Sequence, residues 1–269
     1  MAAGRQPLVR AALAGARAPR ALERVSRPAL AGLWLGLLSD EGLRALDERY
    51  YDGEEAYRTA AWNERGLFDW ERAAVDRHFR GCERIAVAAC GGGREVLALL
   101  EDGLDAVGYE PHPGLAAFAA DLLAAHGHPG RVRTAPRDEL PPDMEPCDGL
   151  VVGWGAYSLV HGRAARERLL AGARERLPAG APVLLSFFET ARHGRGYRAT
   201  RAIAAALRRP RGRAPVELGD TLAPNLVHVF TRAELAGEVA AGGLDVVEHR
   251  LVGSAGESVS YAAAVARVP

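Results

Sequence analysis

The sequence has no lysine, no net charge and no apolar run long enough to cross a membrane. Its 34 basic residues are all arginine and are balanced by 34 acidic ones, so no overall field recruits nucleic acid or an anionic membrane. The longest early apolar run, Ala29–Leu38, is about half of the roughly 20 residues that a transmembrane helix needs. We therefore expect no membrane span, and the charge balance argues against a nucleic-acid partner.

Cysteine is also scarce. Cys82, Cys90 and Cys147 are odd in number, lie far apart and form no CxxC pair. Such a set argues against a disulfide framework and a structural zinc site and favours a reducing compartment, so we expect a cytoplasmic protein. A length of 269 residues, of which 48% are hydrophobic and 25% charged, is typical of one globular domain with an appended piece.

The centre of the sequence, from Arg84 to Glu110, predicts a strand, a glycine turn, a helix and a second strand. Ile85–Cys90 is an apolar run without charge, typical of a strand buried on both faces. Three consecutive glycines, 91–93, then allow a sharp turn and the close approach of a ligand to the main chain. Glu110 ends the second strand, where a carboxylate accepts hydrogen bonds from a ribose diol. This unit predicts a nucleoside-cofactor site and leaves the kind of cofactor open.

Strands and helices continue to alternate after Glu110, which predicts a parallel, doubly wound sheet. Further strands are predicted at Arg131–Thr134, Asp148–Trp154, Ala181–Phe188 and Asn225–Phe230, and helices at Pro113–His126, Arg163–Leu177 and from Thr231 to Gly242. The last two strands, Leu244–Leu251 and Ser258–Val268, are joined by a turn too short for a helical crossover. They should therefore pair antiparallel.

Two segments precede the central unit. Residues 1–28 form a basic extension with six arginines and one acid; it resembles an organelle-targeting peptide, but we favour a frayed extension. Residues 29–80 are predicted to be helical, either as a lid over the ligand or as helices packed on the sheet. The predicted helices are capped at Ser39, cover Glu54–Trp62 and begin again at Asp69. For Tyr51, Tyr57 and Trp62 we favour packing between helices over contact with the ligand.

A basic segment, Thr190–Pro215, interrupts the alternation. Its arginines are Arg192, Arg195, Arg198, Arg201, Arg208, Arg209, Arg211 and Arg213. So dense a run is usually a solvated surface, which we favour over a phosphate- or RNA-binding role.

The order of these elements resembles the S-adenosylmethionine-dependent methyltransferases with the Rossmann-like fold. The pieces that carry the resemblance are IAVAACGGGRE, the acid in AVGYEP, CDGLVVGWGAYSLVHG and HVFTRAELAGEVAAGGLDVVEHR. A nicotinamide or flavin dinucleotide is the alternative, but GxGxxG is absent and the chain is too short for a separate catalytic domain.

The resemblance implies an α/β fold: a mostly parallel, seven-stranded sheet with a C-terminal antiparallel hairpin. The core would span 81–269 with an insertion at 189–226, and the preceding helices and this insertion would form the pocket for a small-molecule substrate. The implied cofactor is S-adenosylmethionine. Two alternatives are an RNA methyltransferase that uses Arg192–Arg213 and a relative that binds the cofactor without catalysis.

The resemblance also implies a set of cofactor-binding residues. They are Ala89, Cys90, Gly91, Gly93, Glu110, Pro111, Asp138, Gly153 and Trp154. Glu110 would bind the ribose, Pro111 would lie beside the adenine, and Asp138, or else Glu139, would contact the adenine. Ala89 stands where the family has its first glycine, and Val87 stands where it has an acid.

The substrate side offers one candidate catalytic residue. His161 is the candidate general base, unless it only orders Trp154 or Tyr157. His193, His228 and Glu189 are weaker candidates. Arg94, at the start of the first core helix, is expected near the methionine carboxylate.

Overall fold

The computed structural model describes residues 26–256 and 258–269. Predictions for residues 1–25 lie outside this range. Within it, the helices are α1 (26–37), α2 (Asp40–Gly53), α3 (Ala60–Asn63), α4 (Asp69–His78), α5 (Arg94–Glu101), α6 (Pro113–Ala125), α7 (Arg163–Arg176), α8 (Arg195–Arg208) and α9 (Arg232–Ala241). The strands are β1 (Ile85–Ala88), β2 (Ala106–Glu110), β3 (Val132–Thr134), β4 (Gly149–Val152), β5 (Pro182–Glu189), β6 (Asp220–Leu222), β7 (Leu226–Phe230), β8 (Asp245–Ser254) and β9 (Ser260–Arg267).

Seven of these strands form the predicted sheet. β1 pairs in parallel with β2 and β4, β2 pairs with β3, and β4 pairs with β5. β9 then runs antiparallel to both β5 and β8. The resulting order, β3-β2-β1-β4-β5-β9-β8, confirms the mostly parallel Rossmann-like sheet with a C-terminal antiparallel hairpin.

The insertion adds a second hairpin at the carboxyl end of β5. β6 and β7 pair antiparallel, and β7 pairs in parallel with the last two residues of β5, Phe188 and Glu189. The sequence predicted β7 but not β6. Only three residues separate β6 from β7, as in a hairpin. The hairpin pairs with β5 beyond Leu185, the last β5 residue that pairs with β4.

Two apolar layers hold the sheet, and β1 shows why. Successive side chains of a strand point to opposite faces: Ala86 and Ala88 lie in one buried cluster, and Ile85 and Val87 lie in the other. Helices α7 and α9 contribute to the first cluster, and α4, α5 and α6 contribute to the second. The absence of charge in β1 therefore correctly predicted that this strand is buried on both faces. Within residues 26–256 and 258–269, none of the helices has the length and apolarity to cross a bilayer.

The predicted helix over Glu54–Trp62 is wrong. The chain instead forms a short 3-10 turn, Ala56–Arg58, and the one-turn helix α3. Thr59 separates them because its backbone is extended, with φ −110° and ψ 141°, and its hydroxyl accepts the N–H of Trp62 at 3.3 Å. The predicted cap at Ser39 is confirmed, since its Oγ accepts the N–H of Gly42 at 3.0 Å.

Helix α1 packs directly on α8 through two glycines. A Cβ at Gly32 would lie 2.7 Å from the carbonyl oxygen of Thr200, and one at Gly36 would lie 2.7 Å from Leu207 Cβ. We call these two helices the α1–α8 pair. Because any side chain would separate them, the glycines bring the segment before the core and the insertion into backbone contact.

Buried Arg208 fastens the same pair. Its Nη1 donates to the carbonyl oxygens of Leu35 at 3.0 Å and Leu38 at 3.2 Å, and its Nη2 pairs with Asp40. These carbonyls lie at the end of α1, where a cation is favourable. The expectation that the arginine run is only a solvated surface is therefore wrong at Arg208, which is 3% exposed.

Candidate functional site

The glycine loop lies at the carboxyl end of β1 and turns through three positive φ angles. Ala89 has φ 52°, Gly91 has φ 58° and Gly93 has φ 96°. Gly93 is the N-cap of α5. The loop also contacts the end of β4, because a Cβ at Gly153 would lie 2.3 Å from the carbonyl oxygen of Ala89. Ala89 thus adopts a conformation that favours glycine.

The carboxylate of Glu110 holds this loop from the end of β2. Its Oε2 accepts the N–H of Gly91 at 2.7 Å, and its Oε1 accepts the N–H of His112 at 2.8 Å. Burial raises the pKa of Glu110 to about 7, although these two backbone hydrogen bonds act to lower it. Each carboxylate oxygen accepts more than one hydrogen bond, so Glu110 retains acceptor capacity toward a ligand.

A cleft opens in front of the loop, and we call it the glycine-loop cleft. Seven of the ten predicted site residues line it: Ala89, Cys90, Gly91, Glu110, Pro111, Asp138 and Trp154. The alternative Glu139 lines it as well. Gly93 and Gly153 lie behind the wall, where they allow close backbone packing. The structure therefore brings together most of the residues that the sequence separated by more than 60 positions.

His161 is the exception. It is not among the described residues that line the cleft, and its Nε2 lies 2.7 Å from Oδ2 of Asp47, a carboxylate with no exposure. Asp47 also pairs with Arg137 and accepts the N–H of Leu226 at 3.3 Å. The geometry favours a positioning role for His161, which ties the loop after β4 to α2. Its role as a general base stays a prediction without support from these contacts.

The weaker candidates also lie in internal pairs. Glu189 Oε2 lies 2.5 Å from His249 Nε2, and the His193 ring nitrogen Nε2 lies 2.7 Å from the carbonyl oxygen of Val229. The weaker candidates Glu189, His193 and His228 are all absent from the described residues that line the glycine-loop cleft.

His228 belongs to a buried ionic network. Burial alone lowers the pKa of His228, but the carboxylates of Asp220 and Glu234 outweigh it and raise the pKa to about 9. Glu217 and Asp220 converge on this ring in a spacing that a metal ion also uses. However, Glu217 Oε2 accepts from Arg166 at 2.6 Å, and a neighbouring guanidinium disfavours a second cation. We therefore interpret this group as an ion-pair network.

Arg94 is buried, and both of its Nη nitrogens are engaged by protein groups. Its Nη1 donates to Glu71 at 2.6 Å and to the carbonyl oxygen of Gly66 at 3.0 Å, and its Nη2 donates to Glu71 and Glu95, each at 2.7 Å. The expected contact between Arg94 and a methionine carboxylate is not supported, because these donors already have acceptors.

The sequence missed Asn63, which lies on the glycine loop. Its Nδ2 donates to the carbonyl oxygens of Tyr57 and Thr59, each at 2.9 Å, and this fixes the orientation of the amide. A Cβ at Gly92 would lie 2.6 Å from Asn63 Oδ1. Asn63 lines the cleft. Its Oδ1 is buried and accepts no hydrogen bond from any described residue. A buried acceptor without a partner is costly, so Oδ1 is a candidate ligand contact.

The charges of the cleft are predominantly negative. Its acidic lining residues are Glu48, Glu95, Glu110, Asp138 and Glu139, and its arginines are Arg94 and Arg137. Both arginines are paired with acids, Arg94 with Glu71 and Glu95, and Arg137 with Asp47. The local field therefore attracts a cationic ligand and repels a polyanionic one.

Aromatic rings close the front of the cleft. Trp154 lies between Trp62, at a centroid distance of 5.8 Å, and Tyr261, at 5.2 Å. Tyr57 lies 5.6 Å from Trp62, and Tyr51 lies 6.1 Å from Tyr57. Tyr51, Tyr57, Trp62 and Trp154 also line the cleft. These rings pack between helices, as favoured from the sequence, and at the same time present a wall to a ligand.

No protein-family model matches the sequence, and a search of the curated proteins finds no significant match. Solved structures do match. One is an S-adenosylmethionine-dependent methyltransferase from Methanosarcina mazei, with 17% identity over 75% of this chain and 98% of the other, and a TM-score of 0.60. Another is the 1,6-didemethyltoxoflavin-N1-methyltransferase of Burkholderia thailandensis, solved with bound 1,6-didemethyltoxoflavin and S-adenosylhomocysteine, with 19% identity over 86% of this chain and 91% of the other and a TM-score of 0.59.

The cyclase SpnF matches too, with 14% identity over 74% of this chain and 80% of the other and a TM-score of 0.55. At these identities the likeness establishes the fold. It confirms, at the level of the fold, the resemblance to S-adenosylmethionine-dependent methyltransferases. Because the same fold also serves a cyclase, the reaction must be argued from the site itself.

Proposed function

We propose that this chain is an S-adenosylmethionine-dependent methyltransferase that acts on a small molecule. The observation that carries the proposal is the excess of carboxylates around a glycine loop whose ribose-type acid, Glu110, faces the cleft. S-adenosylmethionine combines a sulfonium and an ammonium with one carboxylate, so it is a net cation. A dinucleotide carries a diphosphate, and the two arginines near the loop are already paired. The electrostatics therefore favour the sulfonium cofactor.

The residues that would hold the cofactor follow from their contacts. Glu110 retains acceptor capacity for a ribose diol, and Asn63 Oδ1 supplies a buried acceptor for the ammonium. Pro111 and Asp138 line the cleft and would lie beside the adenine. Trp154 and its aromatic neighbours suit a sulfonium, since an aromatic face attracts a cation. The unpartnered oxygen of Asn63 compensates for Val87, where the resemblance implies an acid.

When bound, S-adenosylmethionine would supply an electrophilic methyl group: the acceptor nucleophile would bond to the methyl carbon in line, and the carbon–sulfur bond would break so that S-adenosylhomocysteine leaves with the electron pair. The chain's part is alignment, which in intramolecular systems lowers a barrier by about 7–11 kcal/mol. Of the described histidines only His112 lines the cleft, and its Nδ1 accepts the N–H of Leu115 as the cap of α6. This arrangement supports an acceptor that needs no histidine base, such as an amine.

Thermal shift and calorimetry test the proposal. S-adenosylmethionine and S-adenosylhomocysteine should both raise the melting temperature, and NAD should not. Glu110→Ala should abolish binding of both nucleosides, whereas Glu101→Ala, at the exposed end of α5, should leave it unchanged. Stabilisation by NAD alone, or wild-type affinity in Glu110→Ala, would contradict the assignment.

The alternative of an RNA methyltransferase has less support from the contacts of the arginine run. Arg208 and Arg213 donate to backbone carbonyls of residues 35–38 and so serve the protein's own packing. A filter-binding assay with RNA at two salt concentrations tests this alternative, because phosphate contacts weaken steeply with salt.

A further inference from the structure

A second cavity lies between the α1–α8 pair and the β6–β7 hairpin, apart from the glycine-loop cleft. We call it the α1–α8 cavity. Its apolar wall comes from Leu30, Trp34, Leu38, Leu46, Leu222 and Pro224. Leu30 is 54% exposed and Trp34 is 50% exposed, although large apolar side chains gain free energy by leaving water. Within the described residues, nothing covers this wall.

The charged residues of the α1–α8 cavity have one sign. Its described lining residues include Arg27, Arg192 and Arg195 and no acid. All three arginines are exposed, and none forms an ion pair with another described residue. Arg208, in the same segment, by contrast donates a hydrogen bond to the Leu35 carbonyl of α1. The cavity therefore combines an apolar interior with a positive rim, which is opposite in sign to the glycine-loop cleft.

Three segments of the chain lead from this cavity to the cleft. Thr190, which lines the cavity, directly follows β5. β5 pairs with β4, and Trp154, just after β4, lines the cleft. Leu46 lines the cavity from α2, the helix whose Tyr51 lines the cleft. Ser258, which also lines the cavity, lies just before β9, and Tyr261 of that strand contacts Trp154.

We propose that the α1–α8 cavity binds the acceptor, and that the acceptor is a small amphipathic anion: an apolar body with a carboxylate at one end and the nucleophile that takes the methyl group, such as an amine, at the other. This inference rests on the proposed function. The apolar body lies against Trp34 and the leucines, and the guanidinium groups of Arg192 and Arg195 bind the carboxylate in their fork geometry. The two cavities then sort the two substrates by charge, because the acidic cleft repels what the arginine rim attracts.

The test uses two fluorescent probes, 11-(dansylamino)undecanoate and its uncharged carboxamide, with the full chain. The double variant Arg192→Glu with Arg195→Glu should weaken binding of the carboxylate at least tenfold and change binding of the carboxamide less than about twofold. The matched control, Arg198→Glu with Arg201→Glu, makes the same charge change further along α8, the helix that begins at Arg195, at two residues that do not line the cavity. It should leave both affinities within about twofold.

A second variant tests the apolar wall independently of charge. Ala191 is exposed and lines the cavity, so Ala191→Trp should occupy the part of the cavity next to the apolar wall and weaken both probes at least tenfold with an unchanged melting temperature. Undiminished binding of the carboxylate to the Arg192 and Arg195 variant, or of both probes to Ala191→Trp, overturns the proposal. So does preferential binding of the protein to phosphatidylglycerol vesicles over the free probe, since that identifies a membrane surface.

Calorimetry with S-adenosylhomocysteine on the same samples separates the two proposals. If the nucleoside does not bind the wild type, the proposed function fails, while the probe result still decides whether the cavity takes an amphipathic anion. If the nucleoside binds and the probes behave alike in all variants, only the inference about the acceptor fails.

Discussion

Glu110 Oε2 accepts the backbone N–H of Gly91 at 2.7 Å, so the carboxylate at the end of β2 fixes the glycine loop at the end of β1. Its second oxygen accepts from His112 at the start of α6. One buried side chain thus sets the loop and the next helix relative to each other. A ligand bound against the loop at Gly91 would therefore lie beside this carboxylate.

Cofactor affinity should depend on pH through Glu110. Burial raises the pKa of Glu110 to about 7, and a carboxylate that accepts from two backbone donors and from ribose hydroxyls must be ionised. The affinity for S-adenosylhomocysteine should therefore rise about tenfold per pH unit below about pH 6.5 and level off above about pH 8. Calorimetry across this range measures it.

The control is Glu110→Gln, which should bind weakly and with little pH dependence. Without ligand the same pKa acts on stability in the opposite direction. The folded-state pKa is raised above the ordinary value of 4.5, so the contribution of Glu110 is fully present below that value and is lost as the pH rises through about 7. A flat affinity profile for the wild type would show that Glu110 does not face the nucleoside.

Asn63→Ala should weaken the binding of S-adenosylhomocysteine about tenfold or more, because a hydrogen bond to a charged group contributes about 1.5–3 kcal/mol. Binding of 5′-methylthioadenosine, which lacks the amino-acid part, should change little. The comparison isolates the unpartnered Oδ1 from the packing role of the Nδ2 group. Thr59→Ala, which removes a neighbouring cap, is the control. Equal losses for both ligands would assign Asn63 to packing alone.

Ala89→Gly should stabilise the protein by about 0.5–1 kcal/mol. The φ of 52° costs a non-glycine residue about 1–2 kcal/mol, whereas glycine adds about 0.4–1 kcal/mol of unfolded-state entropy. The matched control is Ala86→Gly in β1, which removes the same methyl group from a buried strand residue and should destabilise. Denaturant titration measures both variants; destabilisation by Ala89→Gly would contradict the argument from strain.

His161 and Asp47 should behave as an energetic pair. Their double-mutant cycle to alanine should give a coupling free energy of about 0.5–3 kcal/mol of unfolding, since they are in contact. Asp47→Ala should be the more destabilising single change because Arg137 and Leu226 also lose their partner. Loss of methyl transfer in His161→Ala with unchanged stability would restore His161 as a catalytic residue.

The sequence predicted the central unit because its signals are local. An uncharged run, three glycines and a helical period lie within residues 85–110, and each reports its own backbone. The break at Thr59 has a weaker signal, since neither proline nor glycine lies in residues 54–62. A hydroxyl that caps α3 decides it instead, and such competition between side chain and backbone is hard to weigh from sequence.

Contacts between distant segments could not be predicted. Arg208 donates to Leu35, 173 residues away, and nothing near either residue indicates the other. The sequence around Asn63 also gives no indication of its role, because Asn63 contacts Gly92 only when α3 packs on the glycine loop. The contact between His161 and Asp47 could not be predicted for the same reason, because Asp47 lies in α2, more than 100 residues earlier in the sequence.

The acidic lining of the glycine-loop cleft has a consequence for turnover. In the proposed reaction the positive charge leaves the sulfur together with the methyl group, so the spent nucleoside is less cationic than the fresh one. Carboxylates that attract the incoming molecule therefore hold the outgoing one less strongly. Replacement of the spent nucleoside by a fresh one is therefore electrostatically favourable.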